Sequence, residues 1–493
     1  MDSGMSMSEQ CDLLTASRAF IAEAFDALRA ENVIPTPVFH PYIAIGRDYF
    51  GDSIRALSAY PTLEAQLDEA YPERFADPLK RHHSEFASTY MFSLIEACVA
   101  RCAQEGSFDS ESTAVDDSID EMLRVLGMAS YEMVCIRHVS HLTTTSGDEL
   151  QIGDVTVVPE PEERGGLLDR IQHEIRGAAQ AWNREDPRPY DPPHSLLIIR
   201  ELTDDPDPYK VVSRLSARLG RFLFLVRLLT AGTVQTTYEV SGMTTLVARM
   251  RPQMSISRKG LLDTPVRRTV RLTGDESAAF ETLGGVIDAA DIKREGMVAT
   301  SFDVALGKFN ASHSNGNPYE YLVDLATGLE AALIGTEKET EGLTLRLRSR
   351  AAALLATESD PAAALFNDVG RLYGLRSKLV HGGQIKEKEL RKIMAQISTS
   401  DIAEHAFGVA LGHAVDRMRD VLRRAILARL CLASEPDPLW PFDRDASVDA
   451  TLADDSQRLA WRERWHERLA ALGIGPAADR PRSAVDFISQ DDR

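Results

Sequence analysis

Apolar residues recur at three- and four-residue spacing over Leu13 to Glu31, Ile54 to Glu69, Phe86 to Gln104 and Val115 to Leu126, which predicts four amphipathic helices. Pro35, Pro37 and Pro41 place a loop after the first of them. From Tyr131 the period shortens to two: Glu132 to Val139, Leu150 to Val158 and Ser195 to Glu201 read as strands. A helix over Leu167 to Trp182 and a turn rich in proline (Pro187, Pro189, Pro192, Pro193) separate the last two. A long apolar helix, Val211 to Leu229, ends at Ala231-Gly232. Gln235 to Arg251 and Arg267 to Thr273 return to strand character, and Ser277 to Ala289 reads as a helix leading to a helical C-terminal part.

The break before that part falls near Lys293-Arg294-Glu295-Gly296. Beyond it, Tyr321 to Leu333 and Leu347 to Leu355 are helical segments, and the prolines of Glu435-Pro436-Asp437-Pro438 and Trp440-Pro441 end the regular structure. Val448 to Leu472 reads as one charged helix, and Gly475 to Arg493 as a loose tail. The fold class expected is therefore multidomain α+β. It has a mainly helical N-terminal region (1–128), a mixed α+β sensor or regulatory domain (129–292), an all-α bundle (298–432) and a C-terminal helix with tail (433–493).

At 493 residues the chain exceeds what one core ordinarily accommodates, which agrees with several domains. No run approaches the roughly 20 apolar residues of a membrane-spanning helix, and Met1 to Gln10 lacks the basic-then-apolar pattern of a secretory signal. A cytoplasmic location without membrane association is expected. The five scattered cysteines (Cys11, Cys98, Cys102, Cys135, Cys431) do not form a disulfide framework. Cys98 and Cys102 share a helical face but lack the second ligand pair that zinc requires, so they read as core residues and no metal is expected. His82, His83, His138 and His141 read as core or solvated histidines.

Net charge is −20, which opposes binding to a polyanion. The charge is unevenly spread, however: residues 298–432 hold 17 Lys and Arg against 16 Asp and Glu, net +1. The candidate chemistry lies in that near-neutral stretch. In Leu372-Tyr373-Gly374-Leu375-Arg376-Ser377-Lys378-Leu379-Val380-His381-Gly382-Gly383 an arginine and a histidine stand five residues apart at a glycine-marked helix end. Arginine is a permanent cation whose forked donors match phosphate oxygens, and histidine exchanges protons near neutral pH. On a straight helix five residues advance about 7.5 Å and turn about 140°, so the two side chains do not share a face unless something else brings them together. No Walker loop, nucleophile elbow or His-Glu-x-x-His motif competes with this pair.

The order Tyr321-Leu322-Val323-Asp324-Leu325-Ala326-Thr327-Gly328-Leu329-Glu330-Ala331-Ala332-Leu333, then Leu347-Arg348-Ser349-Arg350-Ala351-Ala352-Ala353-Leu354-Leu355, then the Arg-Ser-Lys-Leu-Val-His-Gly run resembles the Apea-like branch of the HEPN domains. The resemblance covers about residues 300–432 and implies a helical bundle that assembles an Arg-x4-6-His site across a homodimer. It implies a metal-independent endoribonuclease that needs no cofactor, with Arg376 and His381 as the catalytic pair. Glu330, Arg350, Ser377 and Lys378 are implied as supporting or RNA-binding residues, whereas Tyr373 reads as packing. An RNA 2′-OH would attack the adjacent phosphorus, giving a 2′,3′-cyclic phosphate and a 5′-OH end. The family setting points to anti-phage defence or abortive infection, with the N-terminal domains answering an unidentified trigger ligand or protein. The alternative is a non-catalytic scaffold whose bundle serves dimerisation or RNA binding.

Overall fold

The computed structural model describes residues 7–30, 53–71, most of 91–127, 130–159, 193–205, 208–230, most of 232–243, 269–292, 300–313, 318–335, 342–381, 386–397, 407–434 and 448–472. The loop expected at Pro35 to Pro41, the helix expected over Leu167 to Trp182, the proline-rich turns and the tail from Gly475 lie outside them. Among the described residues no helix is long and apolar enough to cross a membrane.

Near the N-terminus α1 (Met7–Ala30), α2 (Tyr60–Ala70) and α3 (Thr113–Leu126), with helical positions between 91 and 105, enclose an apolar core of their own. Phe20, Phe25, Leu63, Leu94, Val115 and Ile119 lie within it, as do Cys98 and Cys102. The helix expected over Ile54 to Glu69 is interrupted, because Pro61 starts a new helix where its missing N–H costs nothing. Glu23 of α1 holds the turn before it by accepting hydrogen bonds from the Ser58 hydroxyl and from the Ala59 N–H (3.0 Å).

The middle of the chain forms a five-stranded antiparallel sheet in the order β3-β4-β5-β1-β6. Its strands are β1 (Tyr131–Ser140), β3 (Leu150–Ile152), β4 (Val155–Pro159), β5 (His194–Thr203) and β6 (Gln235–Met243). Two short parallel strands, β2 (Leu142–Thr144) and β7 (Val270–Leu272), pair beside it. The single strand expected over Leu150 to Val158 is a hairpin, since Gly153 takes φ +57° and closes a two-residue turn between Ile152 and Val155. Helix α4 (Pro208–Thr230) packs on the sheet through Val211, Leu215, Leu219 and Leu223. Arg137 of β1 donates to Glu239 of β6 (2.6 Å) and to the Ser216 carbonyl and hydroxyl of α4, so three elements are tied at one point. Helix α5 (Ser277–Ile292) follows β7.

The remaining helices are α6 (Ser301–Ala311), α7 (Pro318–Leu333), α8 (Leu343–Leu355), α9 (Ala362–Val380), α10 (Glu387–Ile397), α11 (Phe407–Ala433), α12 (Val448–Ala453) and α13 (Asp455–Ala471). Gly328 lets α7 close on its neighbours: a Cβ there would stand 2.8 Å from Leu422 Cδ2 and 3.0 Å from Lys308 Cβ. The charged helix expected over Val448 to Leu472 is two helices, because Asp454 caps α13 by accepting from the Gln457 N–H at 2.9 Å. Both belong to the bundle. Trp465 is fully buried, its indole N–H donates to the Leu354 carbonyl (3.3 Å), and Arg462 donates to the carbonyls of Ala352 and Ala353 at the end of α8.

The apolar core runs from the sheet through α4 and α5 into the bundle without a gap, so no change of core accompanies the boundary read near Lys293-Gly296. The seam also carries polar ties. Arg423 of α11 donates to the Leu228 carbonyl of α4 (3.1 Å), and Arg227 of α4 donates to Asn310 of α6 (2.8 Å).

Candidate functional site

Helix α9 carries Leu365, Val369, Leu372 and Leu375 at helical spacing, and this stripe turns into the core. The helix stays regular through Val380 and ends on His381 (φ −85°, ψ 11°), whose N–H reaches the Ser377 carbonyl at 3.2 Å. The glycine pair after it, Gly382-Gly383, lies outside the described residues. Because the helix is regular, Arg376 and His381 keep the angular separation of five residues: Arg376 is half-buried and His381 is exposed.

Tyr373, one turn before Arg376, orders it. The Arg376 guanidinium carbon lies 5.5 Å from the centre of the Tyr373 ring, within cation–π range. The Tyr373 hydroxyl donates to Glu330 Oε2 of α7 at 2.9 Å. Burial, then the hydrogen bond and charge of Glu330, push the Tyr373 phenol up to about 12, so it keeps its proton and remains a donor. The phenol thus stands between the Glu330 carboxylate and the Arg376 cation, which do not pair. Among the described residues no carboxylate or carbonyl accepts from Arg376, and its buried Nε has no partner.

The other arginines of the bundle contrast with it. Arg417 forms a bidentate pair with Asp360 (2.7 and 2.9 Å) and reaches Asp368 (3.1 Å), and Arg424 donates to Asp360 (2.5 Å) and to the Leu355 carbonyl. Arg423 pairs with Asp420, and Arg429 donates to the Ala331 and Ala332 carbonyls. Arg348 donates to the Phe366 carbonyl, and Arg371 to Asp368 and the Gln396 carbonyl.

The supporting residues expected from sequence divide. Glu330 is at the site, through Tyr373. Arg350 is not: it is buried, its Nε and Nη2 donate to Asp449 (2.6 and 2.8 Å), and its Nη1 donates to the Leu333 carbonyl (2.7 Å). Arg350 thereby clamps α7, α8 and α12 together. Its hydrogen bonds hold the Asp449 carboxyl below the usual range. Ser377 is half-buried, with its carbonyl taken by the His381 N–H. Lys378 is exposed and forms an ion pair with Glu389 of α10.

Tyr373 is more than the packing residue it reads as from sequence. Its position three residues before Arg376 was the available signal, since i and i+3 residues adjoin on a helix. Elsewhere, His138 stacks on His194 across β1 and β5 (ring centres 4.8 Å apart), and His141 is buried. Among the described residues no three His, Cys, Asp or Glu side chains group as metal ligands. No protein-family model, curated protein or solved structure matches the chain.

Proposed function

We propose that the chain is a metal-independent endoribonuclease of the HEPN type, with Arg376 and His381 as its catalytic pair. The observation that carries this reading is the state of Arg376. In a bundle where buried arginines are engaged by carboxylates or carbonyls, this one is held in place by a ring and donates to no described acceptor. A cation kept in position without an anion is ready to receive one, and a phosphodiester fits its forked donors. His381, exposed at the end of the same helix, supplies the proton-transfer group.

In this mechanism a histidine takes the proton of an RNA 2′-OH as its oxygen attacks the adjacent phosphorus. The P–O5′ bond breaks, the 5′ oxygen leaves with a proton, and a 2′,3′-cyclic phosphate remains. Arg376 stabilises the charge that grows on the non-bridging oxygens. Tyr373 and Glu330 position it without touching substrate. Since a regular α9 holds Arg376 and His381 on different faces, a second copy of the chain supplies the opposing pair, which makes the working unit a homodimer.

The N-terminal helices and the sheet restrain the bundle until a trigger arrives, and the arginine ties at the α4 seam are the physical route for that signal. Anti-phage defence within the cytoplasm is the setting this activity suits. The test is incubation of RNA and single-stranded DNA with the purified protein in EDTA. Cleavage of RNA alone, with cyclic phosphate ends and dependence on Arg376, is the expected result; cleavage that survives Arg376→Ala would contradict it.

A further inference from the structure

Helix α10 runs antiparallel to α9, as two contacts at its ends show: Glu389 near its start pairs with Lys378, and the Gln396 carbonyl near its end accepts from Arg371 (3.1 Å). Leu390, Ile393 and Ile397 turn inward and pack on the core. The opposite side bears Lys388 and Lys392, and Lys386 stands at the helix start, its carbonyl accepting from the Leu390 N–H (3.1 Å); all three lysines are exposed. None of these three lysines has a carboxylate partner among the described residues. Glu389, the acid closest in sequence whose side chain is described, is engaged by Lys378.

Two physical points make this face unusual. Lys388 and Lys392 stand four apart on a helix, where like charges repel. The chain as a whole carries −20, yet from Arg376 to Lys392 six cationic residues face two glutamates. The unbalanced positive face begins beside Lys378, at the α9 end that carries His381. We propose that Lys386, Lys388 and Lys392 form a track for the phosphate backbone of single-stranded RNA, holding the nucleotides that flank the bond cut at Arg376 and His381. This rests on the ribonuclease reading and adds to it a surface that sets affinity while the catalytic pair sets rate. Binding of phosphate by lysine is insensitive to base identity, so the track favours no sequence.

The test separates binding from cleavage. Full-length His381→Ala protein is titrated into a fluorescein-labelled, mixed-sequence single-stranded RNA carrying 2′-O-methyl groups, and anisotropy is read at several salt concentrations between roughly 50 and 200 mM. Each phosphate that a single strand has neutralised adds about 0.7 to the log–log salt slope. In the same background, the combined Lys386→Gln, Lys388→Gln and Lys392→Gln substitutions are therefore expected to reduce that slope by about 2. The corresponding lysine-to-arginine replacement is expected to keep the slope. An unchanged slope in the glutamine variant overturns the track. Tighter RNA binding by that variant also overturns it, and assigns the lysines to an acidic surface of this chain. A reduced slope in a protein whose His381 form cuts no RNA keeps the track and removes the nuclease reading.

Discussion

Two arginine settings lie within one bundle. At the middle of α11, Arg417 and Arg424 converge on Asp360; Asp360 and Arg424 are buried and the Arg417 side chain is 14% exposed. At the end of α9, Arg376 rests on a tyrosine ring and pairs with no carboxylate among the described residues, although Glu330 is one hydroxyl away. The first arrangement satisfies its own charges and holds helices together. The second leaves a charge unmatched, which is costly for a structure and useful for a ligand site. Arginine content therefore says little about RNA binding in this bundle; what matters is whether each guanidinium already has its anion.

Removing Asp360 tests the buried half of this contrast. Asp360→Ala removes the carboxylate that Arg417 and Arg424 share, leaving Arg417 with Asp368 and Arg424 with Asp420, and is expected to destabilise the protein by about 3 kcal/mol, measured by urea unfolding. A loss of only a few tenths would mean the network is not structural. For the open half, Arg376→Ala is expected to lower kcat by roughly 10²–10³-fold, about 2.7–4 kcal/mol, with a melting transition close to that of the parent protein. A large fall in stability with little effect on rate would place Arg376 with the buried arginines instead.

Tyr373→Phe sharpens the contrast, because it removes the hydroxyl that holds Glu330 while leaving the ring beneath Arg376. The expected result is a fall in kcat of about tenfold, near 1.4 kcal/mol, restored in part by adding Glu330→Gln, which removes the acid able to capture Arg376. Acid separates the two settings further. Burial alone would raise the Asp360 carboxyl, but Arg417 and Arg424 outweigh it and its pKa lies below the usual value. Its contribution to stability is therefore present above about pH 4 and lost as pH falls through the lowered value. The stability difference between the parent protein and Asp360→Asn should shrink over that interval by on the order of 1 kcal/mol per pH unit.

Much of this fold was legible from period alone. The helices of α1, α3, α4 and α5 and strands β1 and β5 fall where the spacing of Leu, Ile and Val places them. The failures are local backbone events within otherwise periodic stretches: Pro61 restarting a helix, Gly153 turning a strand into a hairpin and Asp454 capping a new helix inside a charged run. At the candidate site, Glu330 and Tyr373 are 43 residues apart, and no local pattern states that they meet. Arg350 shows the same difficulty. Its local sequence marks only a polar position beside an alanine run, and its anion, Asp449, is 99 residues away.

The most direct test of the central claim compares wild-type and His381→Ala protein on total RNA and single-stranded DNA in EDTA, with end-group analysis of the fragments. Wild-type protein is expected to cut RNA and spare DNA, leaving 2′,3′-cyclic phosphate and 5′-OH ends, and the His381→Ala protein to leave RNA intact while keeping its fold. Equal yields of the same fragments from both proteins would contradict it.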